Sequence, residues 1–244
     1  MSTKENHSNN YQPKLRTMAA SESKLWYLEQ INIFRDLGPE DLERVNKISS
    51  MKTLDKGKFI YFPEEPSKVI YLLKMGRVKI GSYSDDGKEI IKAILEPGEI
   101  FGELAIAGQE NRVDFAQVLD NNVKICAIHK EEMIRMLESI PRLNFKITHL
   151  IGLRLQRMER RFESLIFKDA RDRIVEFIRN LALEKGRKVG YEYAVKHKLT
   201  HQDMANLTAT SRQTVTIVLN ELREKGILDF DRRSIIIHEM DQLK

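Results

Sequence analysis

Residues 199–226 read LTHQDMANLTATSRQTVTIVLNELREKG, two amphipathic segments about a tight turn. Thr200 stands before the first segment with Asp203 three residues on, a capping-box pattern. Ala205 and Leu207 give its apolar side, and Thr208-Ala209-Thr210 makes the turn. The spacing predicts Thr210 as N-cap of the second helix, Gln213 at the reciprocal position and Gly226 past the end. On a helical wheel Val215, Val218, Leu219 and Leu222 share an arc of about 100°. Gln213, Ile217 and Asn220 lie opposite, flanked by Arg212 and Thr216. An ordinary surface helix with one exposed Ile is the plain reading. The other is a helix for the DNA major groove: Ile217 against a thymine methyl, Arg212 to guanine O6/N7, Gln213 bidentate to adenine. Thr210, Ser211 and the helix N-terminus suit phosphates, and Thr200, His201, Gln202 and Thr214 complete the candidate DNA-facing set with Asn220. A Gln213 folded back as a cap cannot also read a base. Downstream, ILDFDRRSIIIH (227–238) places two β-type runs around Asp231-Arg232-Arg233. Helix-turn-helix followed by a hairpin is a winged helix, with Arg232 and Arg233 along a phosphate backbone.

Upstream, 169–186 reads as a helix with Asp169 as N-cap and Gly186 at its end. A long helix precedes it, from about Arg142 to Phe167. Leu143, Ile147, Leu150, Ile151, Met158, Phe162 and Leu165 form its apolar stripe, with Arg154 and Arg161 intruding. The stripe predicts a dimer seam of Ile147, Leu150, Ile151, Arg154, Met158, Phe162 and Leu165; the alternative is packing on the chain's own sheet. EEMIRMLESI is a short helix ending near Pro141. From Phe59 to His129 the period becomes two: KFIYF, VIYLL, RVKIGSY, EIIKAIL and VKICAIH are short strand-like runs. In RVKIGSY, Val78 and Ile80 alternate with Arg77 and Lys79, the pattern of a half-buried strand. Ser84-Asp85-Asp86-Gly87 supplies a hairpin turn. Many short strands so spaced predict a sandwich or jelly roll. Residues 24–50 are helical in pieces, with Pro39 in a first turn, and 1–23 read as a loose tail.

The chain has 244 residues, 41% hydrophobic and 32% charged, enough for a sizeable core. It has no apolar run near the roughly 20 residues that span a bilayer, and no apolar N-terminal core of a secretory signal. A cytoplasmic protein without membrane contact is expected. The single cysteine, Cys126, excludes a disulfide scaffold, a cysteine zinc site and a four-cysteine iron–sulfur cluster within one chain. Net charge is +5, from 41 Lys and Arg against 36 Asp and Glu. Residues 24–139 are mildly acidic, and the basic excess falls in 140–244, which reads either as a solvated basic face or as a place for a polyanion to dock. No GxSxG, HExxH or GxxxxGK[ST] motif occurs, so no enzyme is expected. His197 and His201 are four apart, but a helix starting at Thr200 keeps them off one face, and no metal site is expected.

This order of elements resembles the cAMP receptor protein/FNR family of bacterial transcription regulators over about residues 24–240. The motifs that carry it are PGEIFGELA (97–105) with Arg112 following, and TSRQTVTIVLNELREKGIL (210–228). The resemblance implies an α+β fold: a jelly-roll-like, cyclic-nucleotide-binding-like β-roll over 24–141, a dimerisation helix over 142–167 and a Crp-type winged helix-turn-helix over 168–244. It implies a homodimeric regulator, activator or repressor, that binds an inverted-repeat promoter site in double-stranded DNA through a recognition helix over 211–225. Half-sites would lie about 34 Å apart, and RNA polymerase is a candidate partner. A small effector would sit at Gly102, Glu103, Leu104, Ala105, Arg112, Val113, Arg154 and Met158. In the family's cAMP binders the acid matching Glu103 takes the ribose hydroxyl, and the arginine matching Arg112 holds the phosphate. There a small hydroxyl residue follows that arginine; here Val113 and then Asp114 stand. The adenine-reading Thr and Ser are replaced by Met158 and Glu159, and the loop from Glu103 to Arg112 is one residue shorter. Each buried polar ligand atom left unpaired costs about 1–3 kcal/mol. The expected effector is therefore a small molecule other than cAMP, or none. FNR-type iron–sulfur sensing is excluded by the lone Cys126, read as a small buried hydrophobe with redox sensing as the alternative. Haem sensing would use His129 or His149. A cyclic-nucleotide module serving an enzyme or channel is a further alternative, opposed by the winged helix.

Overall fold

A computed structural model describes Leu28 and residues 31–243; the tail expected over 1–23 lies outside these residues. Helix α1 (Pro39–Ile48) starts where Pro39 fits the first turn and Glu40 and Asp41 complement the helix N-terminus. Its buried residues, Leu42 and Val45, cover one end of the β-roll core.

Eight strands follow: β1 (Ser49–Leu54), β2 (Phe59–Tyr61), β3 (Val69–Met75), β4 (Val78–Tyr83), β5 (Glu89–Leu95), β6 (Ile100–Phe101), β7 (Phe115–Val118) and β8 (Val123–His129). They form two antiparallel sheets, ordered β1-β8-β3-β6 and β2-β7-β4-β5. Gly87 turns the β4–β5 hairpin at positive φ, its N–H donating to the Ser84 carbonyl as the turn chemistry predicts. Cys126 is fully buried beside Leu72, its register partner on β3. Two features depart from the pattern read in the sequence. Residues 49 and 50 open strand β1, where the sequence read as helical to residue 50. Lys79 lies inside with Val78 and Ile80, only 9% exposed, ion-paired to Glu89 and 5.6 Å over the Phe115 ring. Its stem adds apolar contact while the charge is met by Glu89.

Helix α2 (Lys130–Ser139) leads into the long helix α3 (Pro141–Phe167). The stripe on α3 divides. Leu143 and Ile147 are buried in the β-roll core, and Leu150 and Ile151 pack against it. Ile147, expected at a dimer seam, is therefore an internal residue of its own chain. Met158, Phe162 and Leu165 stay exposed, and so do Phe145, Leu155 and Ile166.

The rear of the chain has its own core. Helix α4 (Ala170–Lys185) is capped by Asp169, whose carboxylate accepts from the Asp172 N–H at 2.8 Å. Gly186 ends it with extended backbone, φ −73°. The requirement for glycine is close approach, since a Cβ there would sit 2.3 Å from the Ala182 carbonyl oxygen. Strands β9 (Arg187–Val189), β10 (Glu192–Lys196), β11 (Leu228–Phe230) and β12 (Ser234–Ile237) form a sheet ordered β11-β12-β10-β9. Helices α5 (His201–Thr208) and α6 (Arg212–Glu224) share one core with α4 and this sheet, burying Met204, Ala205, Val215, Val218, Leu219 and Leu222. The β11–β12 hairpin is the expected wing; β9 and β10 were not anticipated.

Candidate nucleic-acid interface and β-roll site

The Thr200 hydroxyl accepts from the Asp203 N–H at 3.1 Å while the Asp203 carboxylate accepts from the Thr200 N–H at 2.8 Å. Both halves of the capping box are formed, as the sequence predicted. Ala209 takes left-handed backbone, φ 52°, to make the turn. The next cap differs from expectation. Ser211 is the N-cap of α6, accepting from the Thr214 N–H at 3.0 Å. Thr210 instead bonds through its hydroxyl to that of Thr208 at 2.9 Å. Moving the cap one residue puts Gln213 at the second helical position, exposed and outside the cap. The conflict between capping and base reading disappears.

The outer face of α6 is open. Arg212 and Gln213 are exposed and Ile217 is 58% exposed. Asn220 accepts through its side-chain oxygen from Arg223 at 2.9 Å, which fixes the direction of its amide. The Thr216 hydroxyl lies 3.0 Å from the Arg212 carbonyl oxygen and 2.9 Å from His201 Nδ1, which ties the start of α5 to α6. Burial, then the Arg212 charge, hold the His201 pKa below the ordinary imidazole value. Gln202 is exposed, its amide donating to Asn206 at 2.8 Å.

A cleft of about 740 Å³ opens between the starts of α5 and α6 and the wing. Lys198, Arg212 and Arg232 stand among its lining over an apolar floor that includes Met204, Leu219 and Phe230. At the wing tip Asp231 accepts from the N–H groups of Arg233 and Ser234 at 2.6 and 2.8 Å. This tight turn leaves Arg232 and Arg233 exposed. The two helices, the cleft and the tip thus offer cations and hydrogen-bonding groups suited to a phosphate backbone, around one helix face with groups for base edges.

The β-roll residues are arranged differently. Gly102, φ +75°, turns the chain into a 3-10 turn over Glu103–Ala105. Glu103 is 5% exposed and ion-paired with Arg154 of α3, which also donates to the Ile100 carbonyl. Arg112 is 2% exposed; it donates to the Gly102 carbonyl at 3.2 Å and to the Val69 carbonyl, with its face 4.4 Å from the centre of the Tyr61 ring. The fork expected to meet a phosphate is turned onto backbone oxygens. Burial pushes the Tyr61 phenol well above its ordinary pKa. Gly102, Glu103, Arg112 and Arg154 are therefore drawn together, and Ala105 is in the core. Leu104, Val113 and Met158 are exposed. Tyr61 and the Val69 carbonyl join this cluster without a signal in the sequence, because an aromatic within a strand and a backbone oxygen carry no spacing pattern.

His129 is exposed at the end of β8, and His149 is exposed on α3, stacked on Phe145. Among the described residues no group of three or more His, Cys, Asp or Glu is placed to hold a metal ion. Among them, too, no helix is long and apolar enough to cross a membrane.

Comparison with known proteins gives two domain families along the chain. The cyclic nucleotide-binding domain matches residues 51–140, and the Crp-like helix-turn-helix domain matches residues 172–244. A CRP-like cAMP-activated global transcriptional regulator of Mycobacterium tuberculosis is 26% identical over 216 residues, 88% of this chain and 96% of that protein. The global nitrogen regulator of a Synechocystis species is 28% identical over 207 residues, 84% of this chain and 90% of that one. Among solved structures, a mutant of CooA from Carboxydothermus hydrogenoformans superposes with TM-score 0.73 at 26% identity, covering 82% of this chain and 88% of that one.

Proposed function

Since the chain belongs to the cAMP receptor protein/FNR family of transcription regulators, we propose that it is a homodimer that recognises an inverted-repeat DNA site through α6. The observation that carries this is the capping of α6 by Ser211, which leaves Arg212, Gln213, Thr216 and Ile217 on an outer face beside a cation-lined cleft. Arg212 and Gln213 read base edges and Ile217 meets a thymine methyl. Thr200, His201, Gln202, Thr210, Ser211, Thr214, Arg232 and Arg233 fix the register on phosphates, and Asn220 closes the reading face. The exposed outer face of α3, centred on Leu155 and Phe162 with Met158 and Leu165 on one side and Glu159 and Ile166 on the other, meets its counterpart in a second copy. RNA polymerase is the partner through which such a dimer would act on transcription. The test is fluorescence anisotropy with duplexes selected from a random pool. Expected is binding to an inverted repeat that weakens steeply with salt and is lost on scrambling one half-site. Equal affinity for scrambled duplex overturns the reading.

A second reading, regulation without a ligand, is favoured by the β-roll. Glu103 is already paired by Arg154, and Arg112 already serves two carbonyls. A cyclic nucleotide would have to displace these contacts, and Val113 and Met158 offer it no hydroxyl in exchange. Calorimetry with cAMP is expected to show no binding at micromolar concentration; micromolar or tighter binding restores cAMP as effector.

A further inference from the structure

Two arginines interrupt the apolar stripe of α3, Arg154 and Arg161, seven residues apart and so on one side of the helix. Arg154 has Glu103. Arg161 donates to backbone oxygens alone: Ile91 at 2.8 Å and Lys92 at 2.9 Å on β5, and Leu207 in the last turn of α5. Burial is the sole cause that holds its pKa below the usual arginine value. The Leu207 carbonyl is one of the last four of α5, which have no partner inside the helix and stand at its negative end. One planar guanidinium with five donors can serve all three oxygens at once.

This contact joins three bodies: the long helix, the β2-β7-β4-β5 sheet of the β-roll, and α5, the first helix of the helix-turn-helix. Smaller ties surround it. The Asn206 amide donates to Glu89 at 3.1 Å, and Arg77 donates to the Lys198 carbonyl at 3.0 Å. Lys185 meets Glu96 at 2.5 Å. Ser164 of α3 also donates to Glu176 of α4 at 2.7 Å; of these ties the Arg161 contact is the one that takes in α3, β5 and α5 together.

We infer that Arg161 is a positioning residue, which seats the reading head of α5, α6 and the wing on the β-roll and ties it to the long helix. The inference rests on the DNA-reading function proposed above. Two reading helices gain from a shared duplex only if their separation is set before binding; a loose head lowers the effective concentration at the second half-site. The residues that touch DNA are elsewhere, so Arg161 acts through placement alone.

The test compares the full chain with its Arg161→Met and Arg161→Lys variants. In Arg161→Met, amide exchange in β5 and in the last turn of α5 is expected to rise by about tenfold or more, while exchange in the β1-β8-β3 sheet and in the buried face of α6 stays unchanged. Affinity for the inverted repeat is expected to fall by about tenfold or more, with affinity for a duplex holding one half-site within about twofold of the parent. Arg161→Lys, with one ammonium in place of the fork, should fall between. If Arg161→Met does not fold, Arg161→Gln carries the same comparison. Unchanged exchange in β5 and α5 overturns the seat, and unchanged or increased inverted-repeat affinity overturns the positioning role. If the parent chain binds no duplex at all, the DNA-reading function fails, and the exchange measurement alone still decides whether Arg161 seats the head.

Discussion

Ser211 and Thr210 are both good N-caps, and the choice between them decides what Gln213 can do. The sequence offers no local reason to prefer either. The tertiary reason is that Thr210 bonds to the Thr208 hydroxyl, which itself donates to the Met204 carbonyl at the end of α5. Replacing Ser211 with Ala should lower stability by about 0.5–2 kcal/mol in urea unfolding, whereas Thr210→Ala should cost less. Arg212→Ala should leave stability unchanged and relax discrimination at a single base pair by about 1–3 kcal/mol. Competition with duplexes substituted one position at a time reads this directly. A loss spread evenly over all sequences would instead put Arg212 on a phosphate.

Gly186 and His238 each act on a whole element. A methyl at Gly186 would meet the backbone of Ala182, which cannot swing aside. Gly186→Ala should therefore destabilise the winged domain by about 1–3 kcal/mol through overpacking, seen in thermal unfolding. His238, just after β12, bonds Glu192 on β10 at 2.7 Å and Asp229 on β11 at 3.2 Å. These two bonds, Glu192 first, raise its pKa above the ordinary imidazole value. A raised folded-state pKa gives stability that is full below the unfolded value of about 6.5. That stability is lost as pH rises through the folded value. His197 and His201, whose pKa values burial lowers, act oppositely: their share is full above the unfolded value and is lost as pH falls below it. The difference between parent and His238→Gln in urea titrations from about pH 6 to pH 9 isolates the first effect. Equal slopes for both proteins would remove His238 from the account. The helices were legible because their apolar residues keep a 3.6 period over many turns, and the wing because two β-type runs flank a turn. Strands β1 and β9 were not, since β1 buries Ser49 alone and β9 is exposed throughout, which leaves no alternation to read. Lys79 defeated the period-two rule because its charge is met by Glu89 inside the sheet.

Across the whole molecule, the long helix does two things that its sequence presents as one stripe. Leu143, Ile147, Leu150 and Ile151 hold it on the β-roll, while Phe145, Leu155, Met158, Phe162 and Ile166 face outward. Among the outward positions 145, 148, 152, 155, 159, 162 and 166 follow alternating steps of three and four, the spacing of a two-helix seam. A second copy along this line would cover Phe162, 64% exposed, and set two Glu159 carboxylates near each other at the two-fold axis. Phe162→Asp removes a large apolar contact and adds a charge; by analogy with deleting a buried Phe, it should cost about 3 kcal/mol or more. The dimer dissociation constant should rise by over about a hundredfold, read by sedimentation equilibrium. The monomer's fold should survive, because none of the three core clusters includes that side chain. Inverted-repeat binding should drop toward single half-site strength in the same variant. Glu159→Leu should act in reverse, tightening the dimer by removing the like-charged pair. Should Phe162→Asp sediment as the parent does, the outer line of α3 is not the seam, and the pairing of reading heads needs another surface.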